Sequence, residues 1–240
     1  MKKKILLLLV IIGCSSDDSI NNSTEVGQGG SLARFSLVGN YLYTVDEYKL
    51  NVLNISDNTN PIQVNSVNIG FDIETLFNYD NYLYVGSRTG MYIYSIDNPE
   101  SPSPLSEVNH FTACDPVIAN ETHAFVTLHT EVVCGNDLNV LEIYDISNVL
   151  NPILISSRNL IRPIGIGLYN DYLFVCDDEI KIFDISNPSD SVLVNSINKN
   201  AFDVIIKDNL LILIGENGLY QYSLDENNIE NISELSAITI

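Results

Sequence analysis

Apolar and polar residues alternate along most of this chain in short runs separated by Gly, Asn, Asp and Pro. Alternation with a period of two predicts half-buried β-strands. Within residues 72–110 the pattern predicts four of them, over 72–78, 82–87, 91–96 and 105–110. Turn residues Tyr79-Asp80-Asn81 and Arg88-Thr89-Gly90 punctuate the series. Pro61, Pro99 and Pro152 fall in the loop after a third strand, where no ladder hydrogen bond is lost. No stretch beyond the N-terminal apolar run keeps a helical period.

The four-strand pattern recurs. Its third strands begin Leu50-Asn-Val-Leu-Asn-Ile, Met91-Tyr-Ile-Tyr-Ser-Ile, Leu141-Glu-Ile-Tyr-Asp-Ile, Ile180-Lys-Ile-Phe-Asp-Ile and Leu219-Tyr-Gln-Tyr-Ser-Leu. A second anchor precedes each: Asn40-Tyr-Leu-Tyr, Asn81-Tyr-Leu-Tyr, Thr122-His-Ala-Phe, Asp171-Tyr-Leu-Phe and Asn209-Leu-Leu-Ile. Two independent anchors keep one register five times, the signature of a repeat architecture. Four short strands per ~40 residues is the blade of a propeller. The sequence therefore predicts an all-β, five-bladed β-propeller of four-stranded antiparallel blades over residues 31–240. A β-sandwich would not require the unit to recur. The last predicted strand, 235–240, is a fourth strand and the first begins near residue 31, so the ring closes without a shared strand. The contact between the first and last blades is the expected weak seam.

The N-terminus has a different character. Lys2, Lys3 and Lys4 precede the apolar run Ile5 to Ile12, which ends at Gly13-Cys14. This is the layout of a secretory signal, and the run is far short of the ~20 residues of a spanning helix. Ile11-Ile12-Gly13-Cys14 resembles a bacterial lipobox. The resemblance implies a signal peptide over 1–13, removed by cleavage before Cys14, and lipid chains on that cysteine. Two or more chains hold a protein stably at a bilayer. Ser15-Ser16-Asp17-Asp18 resembles the acidic export signal of Bacteroidota lipoproteins, which implies an outer-membrane location with exposure at the cell surface. Residues 14–30, rich in Ser, Asn, Asp and Gly, read as a lipidated cysteine and flexible tether spanning roughly 20–25 Å r.m.s..

Asp145-Ile-Ser-Asn and Asp184-Ile-Ser-Asn-Pro, each after an apolar strand, resemble LVIVD repeats of bacterial and archaeal surface proteins. Ala113-Cys-Asp-Pro-Val, and Phe125-Val-Thr-Leu followed by Cys134, are similar to the Bacteroidota lipoprotein subgroup. That subgroup often carries a histidine where this chain reads Pro163-Ile164-Gly165. The resemblance brings a propeller fold and no established activity.

Charge narrows the partners. The chain has 11 basic and 31 acidic residues; without Lys2, Lys3 and Lys4 the balance is −23. Such a field repels nucleic acid and anionic lipopolysaccharide. Of the cysteines, Cys114 and Cys134 flank the irregular segment of the third unit and are expected to pair in an oxidising compartment. Cys176 falls where other units place Val45 and Ile214, so it is expected as a buried free thiol. The spacing supports no zinc site; no metal residue is assigned, and no cofactor is expected.

First strands of propeller blades line the axis. Aligned on the anchors, two columns meet at one mouth: Arg34, Thr75, Pro116, Gly165 and Asp203, and Ala33, Glu74, Asp115, Ile164 and Phe202. Arg34, Glu74, Asp115 and Asp203, with His110 beside them, form the candidate ligand ring. Mutual satisfaction of these polar groups is the plainer account of them. An insertion over 129–139 in the third unit is a second candidate surface. Cys176-Asp177-Asp178-Glu179 reads as a solvated acidic turn, and His123 as a substitute for the anchor tyrosine.

The chain carries no Gly-x-Ser-x-Gly, His-Glu-x-x-His or phosphate loop, and no catalytic residue is assigned. It lacks tryptophan, and its tyrosines read as strand residues, which weakens a sugar-cleaving role for the axial acids. The leading expectation is a monomeric, non-enzymatic surface lipoprotein that binds a protein or glycan. An accessory subunit of an outer-membrane uptake or secretion assembly, and a glycan hydrolase using axial carboxylates, are the alternatives.

Overall fold

The structure is a computed structural model and describes residues 26–27, 30–109, 116–130 and 138–239. It contains five antiparallel sheets in chain order. Blade 1 holds β1 (Val26–Gly27), β2 (Phe35–Val38), β3 (Tyr41–Val45), β4 (Lys49–Asn54) and β5 (Ile62–Asn68). Blade 2 holds β6 (Ile73–Tyr79), β7 (Tyr82–Ser87), β8 (Gly90–Ser95) and β9 (Ser103–Asn109). Blade 3 holds β10 (Val117–Ala119), β11 (His123–His129), β12 (Asn139–Asp145) and β13 (Ile153–Asn159). Blade 4 holds β14 (Ile166–Tyr169), β15 (Tyr172–Cys176), β16 (Ile180–Asp184) and β17 (Val192–Ile197). Blade 5 holds β18 (Asp203–Lys207), β19 (Leu210–Gly215), β20 (Gly218–Ser223) and β21 (Ser233–Thr239). This is the predicted five-bladed propeller, and the strand limits predicted for the second unit hold to within two residues.

The repeated anchors have a backbone cause. The motif residues Ile55, Ile96, Ile146, Ile185 and Leu224 donate their N–H groups to Asn40, Asn81, Thr122, Asp171 and Asn209, at 2.8–2.9 Å. The carbonyl residue opens the second strand of the blade, so one hydrogen bond fixes both anchors in register. The residue just before the motif residue ends the third strand. Asn54, Asp145 and Asp184 each accept the N–H two residues on, at 2.9 Å, the Asx turn that favours Asp and Asn there. A bulge recurs in all five blades between the third and fourth strands, at Val52/Leu53, Ile93/Tyr94, Ile143/Tyr144, Ile182/Phe183 and Gln221/Tyr222. Bulges increase local twist, which suits sheets arranged radially.

Alternation along the second strands fills the space between blades. Tyr43, Tyr84, Phe125 and Phe174 face the following blade and are buried. Leu83, Ala124, Leu173 and Leu211 face the preceding one and are fully buried too. Outer strands carry hydrogen bonds across as well: Asn65 to Glu100 O (2.8 Å), Ser106 to Val149 O (2.6 Å) and Asn195 to Ile229 O (3.1 Å).

The fifth interface is different. At equivalent positions Ile212 of blade 5 and Leu42 of blade 1 are only half-buried. Strands β5, β9 and β13 each bury part of three residues against the next blade, whereas every residue of β21 is exposed. Ser236, at the register of Asn65, bonds to Gln221 of its own blade. The expected weak seam is present.

Two residues of the segment read as tether form a strand. β1 pairs antiparallel with β2, Val26 opposite Val38 and Gly27 opposite Leu37. Strand β2 is the innermost of its blade, so β1 lies on the axial side. This strand is not legible in the pattern of residues, because a glycine-rich stretch has no alternation to read. The unpaired inner edge of blade 1 supplies the reason for pairing.

Candidate functional site at the first-strand mouth

The two ends of the propeller follow from strand direction. First strands begin at one end, where the blade-to-blade linkers and the turns between second and third strands also lie. That end is the mouth. The opposite end carries the Asx turns of the repeated motif.

The structure keeps the sequence-derived columns in register. Arg34, Pro116 and Gly165 carbonyls accept Val45, Thr127 and Cys176 N–H groups at equivalent places, and Asp203 stands opposite Ile214. The side chains of Arg34 and Asp203, however, turn to separate partners. The Arg34 guanidinium donates to Ile73 O of blade 2 at 2.5 Å. Glu74 is half-buried and engaged with a partner. Asp115 and His110 lie outside the described residues, as do Cys14, Cys114, Cys134 and the signal segment 1–13. The base of the 129–139 insertion is closed by Leu138 N–H donating to Thr130 Oγ1 at 3.1 Å.

Asp203 is the most enclosed of the described candidates, 9% exposed. Its Oδ1 accepts Ser31 Oγ at 3.3 Å and Val204 N–H at 2.9 Å. Ser31 Oγ in turn accepts Ile166 N–H at 2.8 Å. The carboxylate thereby ties the lead-in of blade 1 to blades 4 and 5 across the seam. Burial pushes its pKa up, and hydrogen bonds from Val204, Ser31 and Leu32 pull against that shift. Gly30 permits the approach, since a Cβ there would lie 2.1 Å from Asp203 Oδ2. Sequence reading missed the clamp because its partner sits in the Gly-Gly-Ser stretch rather than in another repeat.

The acidic turn is likewise structural. Asp177 is buried, pairs with Lys181 Nζ at 2.5 Å and accepts Ile161 N–H at 3.0 Å. The expectation of a solvated turn therefore holds for Asp178, which is more exposed and also pairs with Lys181, and fails for Asp177. Among the described residues no group of three His, Cys, Asp or Glu side chains is placed to hold a metal ion. Cys176 is a free, buried thiol, as expected, with its pKa pushed up by burial. His123 takes the anchor tyrosine's place beside Phe125, ring centroids 6.4 Å apart.

What stands open at the mouth is aromatic. Tyr48 lies in the turn between β3 and β4, 51% exposed, and stacks on Phe71, 55% exposed, at 6.4 Å between centroids. Tyr48 corrects the expectation that every tyrosine is a strand residue. An open depression of about 560 Å³ adjoins it, lined by Arg34, Val45, Asp46, Glu47, Tyr48 and Lys49. Asp46 Oδ1 accepts Tyr48 N–H and Lys49 N–H, each at 2.9 Å, and holds the turn. Exposed Phe35 and Phe202 also belong to this end. On the axis a more enclosed cavity of about 260 Å³ reaches the motif end, lined by Ser31 and by first strands of blades 2–5, Phe77, Ile118, Leu168 and Ile206 among them.

Residues 29–69 and 165–199 match the LVIVD repeat, which supports the repeat reading in the first and fourth blades. No curated protein matches the chain. Among solved structures it is similar to a protein from Lactobacillus plantarum, at 12% identity over 85% of this chain and 74% of that one, TM-score 0.67. A functionally unknown protein from Desulfotomaculum acetoxidans shares 12% identity over 84% and 80% of the two chains, TM-score 0.54. Hsv2p from Kluyveromyces lactis shares 12% identity over 84% of this chain and 60% of its own, TM-score 0.54. At these identities the likeness concerns the fold.

Proposed function

We propose that this propeller with LVIVD repeats is a non-enzymatic, lipid-anchored outer-membrane protein that binds a protein or glycan at its mouth end. One observation supports the reading above the others. The motif end repeats the same backbone hydrogen bond in every blade, whereas the mouth end differs from blade to blade and exposes the stacked pair Tyr48 and Phe71. Solvent-exposed aromatic pairs bring contact area and little conformational entropy to a binding surface. Arg34, Glu47 and Lys49 beside them supply donors and acceptors for hydroxyl or peptide groups.

The same geometry removes Asp203 from the hydrolase reading. Glycosidic cleavage needs two carboxylates free to face one bond, and Asp203 is engaged with Ser31 and the backbone of blade 5. A photocrosslinking residue at position 48, compared with one at position 59 in a motif-end turn, tests the proposal in cells of the native host. Discrete adducts at 48 and none at 59 are expected. Adducts at 59 alone would overturn it.

A further inference from the structure

The direction of β1 carries a consequence for how the propeller sits on a lipid surface. β2 runs from the mouth to the motif end, and β1 pairs with it antiparallel on its axial side. The chain preceding Val26 therefore enters at the motif end and travels toward the mouth. The axial cavity agrees with this path, since its wall is built from first strands of blades 2–5 and no residue of β2 contributes.

We propose that the anchor segment joins the propeller through the motif end of its axis, so that this end faces the lipid surface and the mouth faces away from it. The proposal rests on the reading of Cys14 as lipidated. From Cys14 to Glu25 is twelve residues, a length that can reach at most roughly 40 Å. The motif end carries exposed Asp57, Asp97, Glu100 and Glu226, and Lys207 is its one lysine or arginine among the described residues. Arg34, Lys49, Arg88, Arg162 and Lys181 belong to mouth-end segments. Repulsion from anionic head groups fades over roughly 8 Å at physiological salt. The tether thus exceeds the range of the repulsion, and the acidic end keeps the body clear of the bilayer without reversing it. The aromatic mouth is left accessible from outside.

The test uses the full lipoprotein reconstituted in vesicles, with an environment-sensitive dye on Asn58→Cys at the motif end or on Glu216→Cys at the mouth. Wild-type protein carried through the same labelling sets the background. Quenching by head-group nitroxide lipids is read for each site. The ends of the first strands stand roughly 15–20 Å apart, and about threefold stronger quenching is expected at position 58. Equal quenching, or stronger quenching at 216, overturns the orientation. Cys14→Ala separates the underlying reading. If that variant stays with the vesicles as wild type does, lipidation at Cys14 fails and the orientation falls with it. If it is released while wild type stays, the quenching ratio judges the orientation alone.

Discussion

The motif end and the mouth end come from the same repeats and obey different constraints. At the motif end, five N–H groups donate to five equivalent carbonyls, and Asp or Asn side chains close the turns. Residue identity there is dictated by backbone satisfaction. At the mouth the equivalent positions hold Arg34, Thr75, Pro116, Gly165 and Asp203, five different chemistries on one backbone register. Some of these are absorbed by structure, as Asp203 is. What is left over, Tyr48 and Phe71 above all, has no partner role in the scaffold that would account for its exposure. A repeat protein shows its scaffold where the units agree and its function where they diverge.

Substitutions can separate the two. The largest effect is expected between blades: Phe174→Ala empties a fully buried site and should cost about 3–5 kcal/mol by urea denaturation. Ile212→Ala, its half-buried counterpart at the seam, should cost less than half of that. Equal losses would mean that the seam is as tightly packed as the other interfaces. Next is the clamp. Asp203→Ala leaves the buried Ser31 hydroxyl and Val204 N–H without their acceptor, at about 1–3 kcal/mol.

The clamp also has a pH signature. The folded-state pKa of Asp203 is raised, so its contribution is fully present below its unfolded value and is lost as pH rises through the folded one. Asp203→Asn removes that dependence. Its penalty relative to wild type should therefore shrink between pH 4 and pH 7, and urea midpoints at the two values give the sign. The turn aspartates act oppositely. The Ser147 N–H lowers the pKa of Asp145, and the Ser186 hydroxyl that of Asp184. Their share of stability is present above the usual carboxylate range and is lost on acidification. At the motif end, Asn54→Ala removes two bonds to Ser56, at 2.9 and 2.6 Å, and should cost about 1 kcal/mol. Smallest of all, Tyr48→Ala and Phe71→Ala should change stability by no more than about 0.5 kcal/mol.

Much of this scaffold is readable from the sequence, because alternation, turn residues and a repeated anchor all report the same backbone. The seam is readable too, since the last predicted strand is a fourth strand and the N-terminal stretch offers no complete one. The site is harder. Register alignment places Arg34 and Asp203 at one mouth, yet it cannot show where their side chains go. Asp203 turns to Ser31 because Gly30 lets the lead-in chain approach, a contact between residues far apart in sequence. Tyr48 hides among tyrosines that alternate into the core. Asp46 sets it apart by holding the turn in which it sits.

The central claim is that the mouth binds and the remainder supports it. The most direct measurement compares ligand capture on native-host cells by wild type, the Tyr48→Ala/Phe71→Ala double variant and Asn54→Ala, each with its urea midpoint. Loss of capture in the double variant at an unchanged midpoint, with capture retained by Asn54→Ala despite its lower midpoint, is the predicted result. Capture that survives removal of both aromatics and disappears with the motif-end change would contradict it.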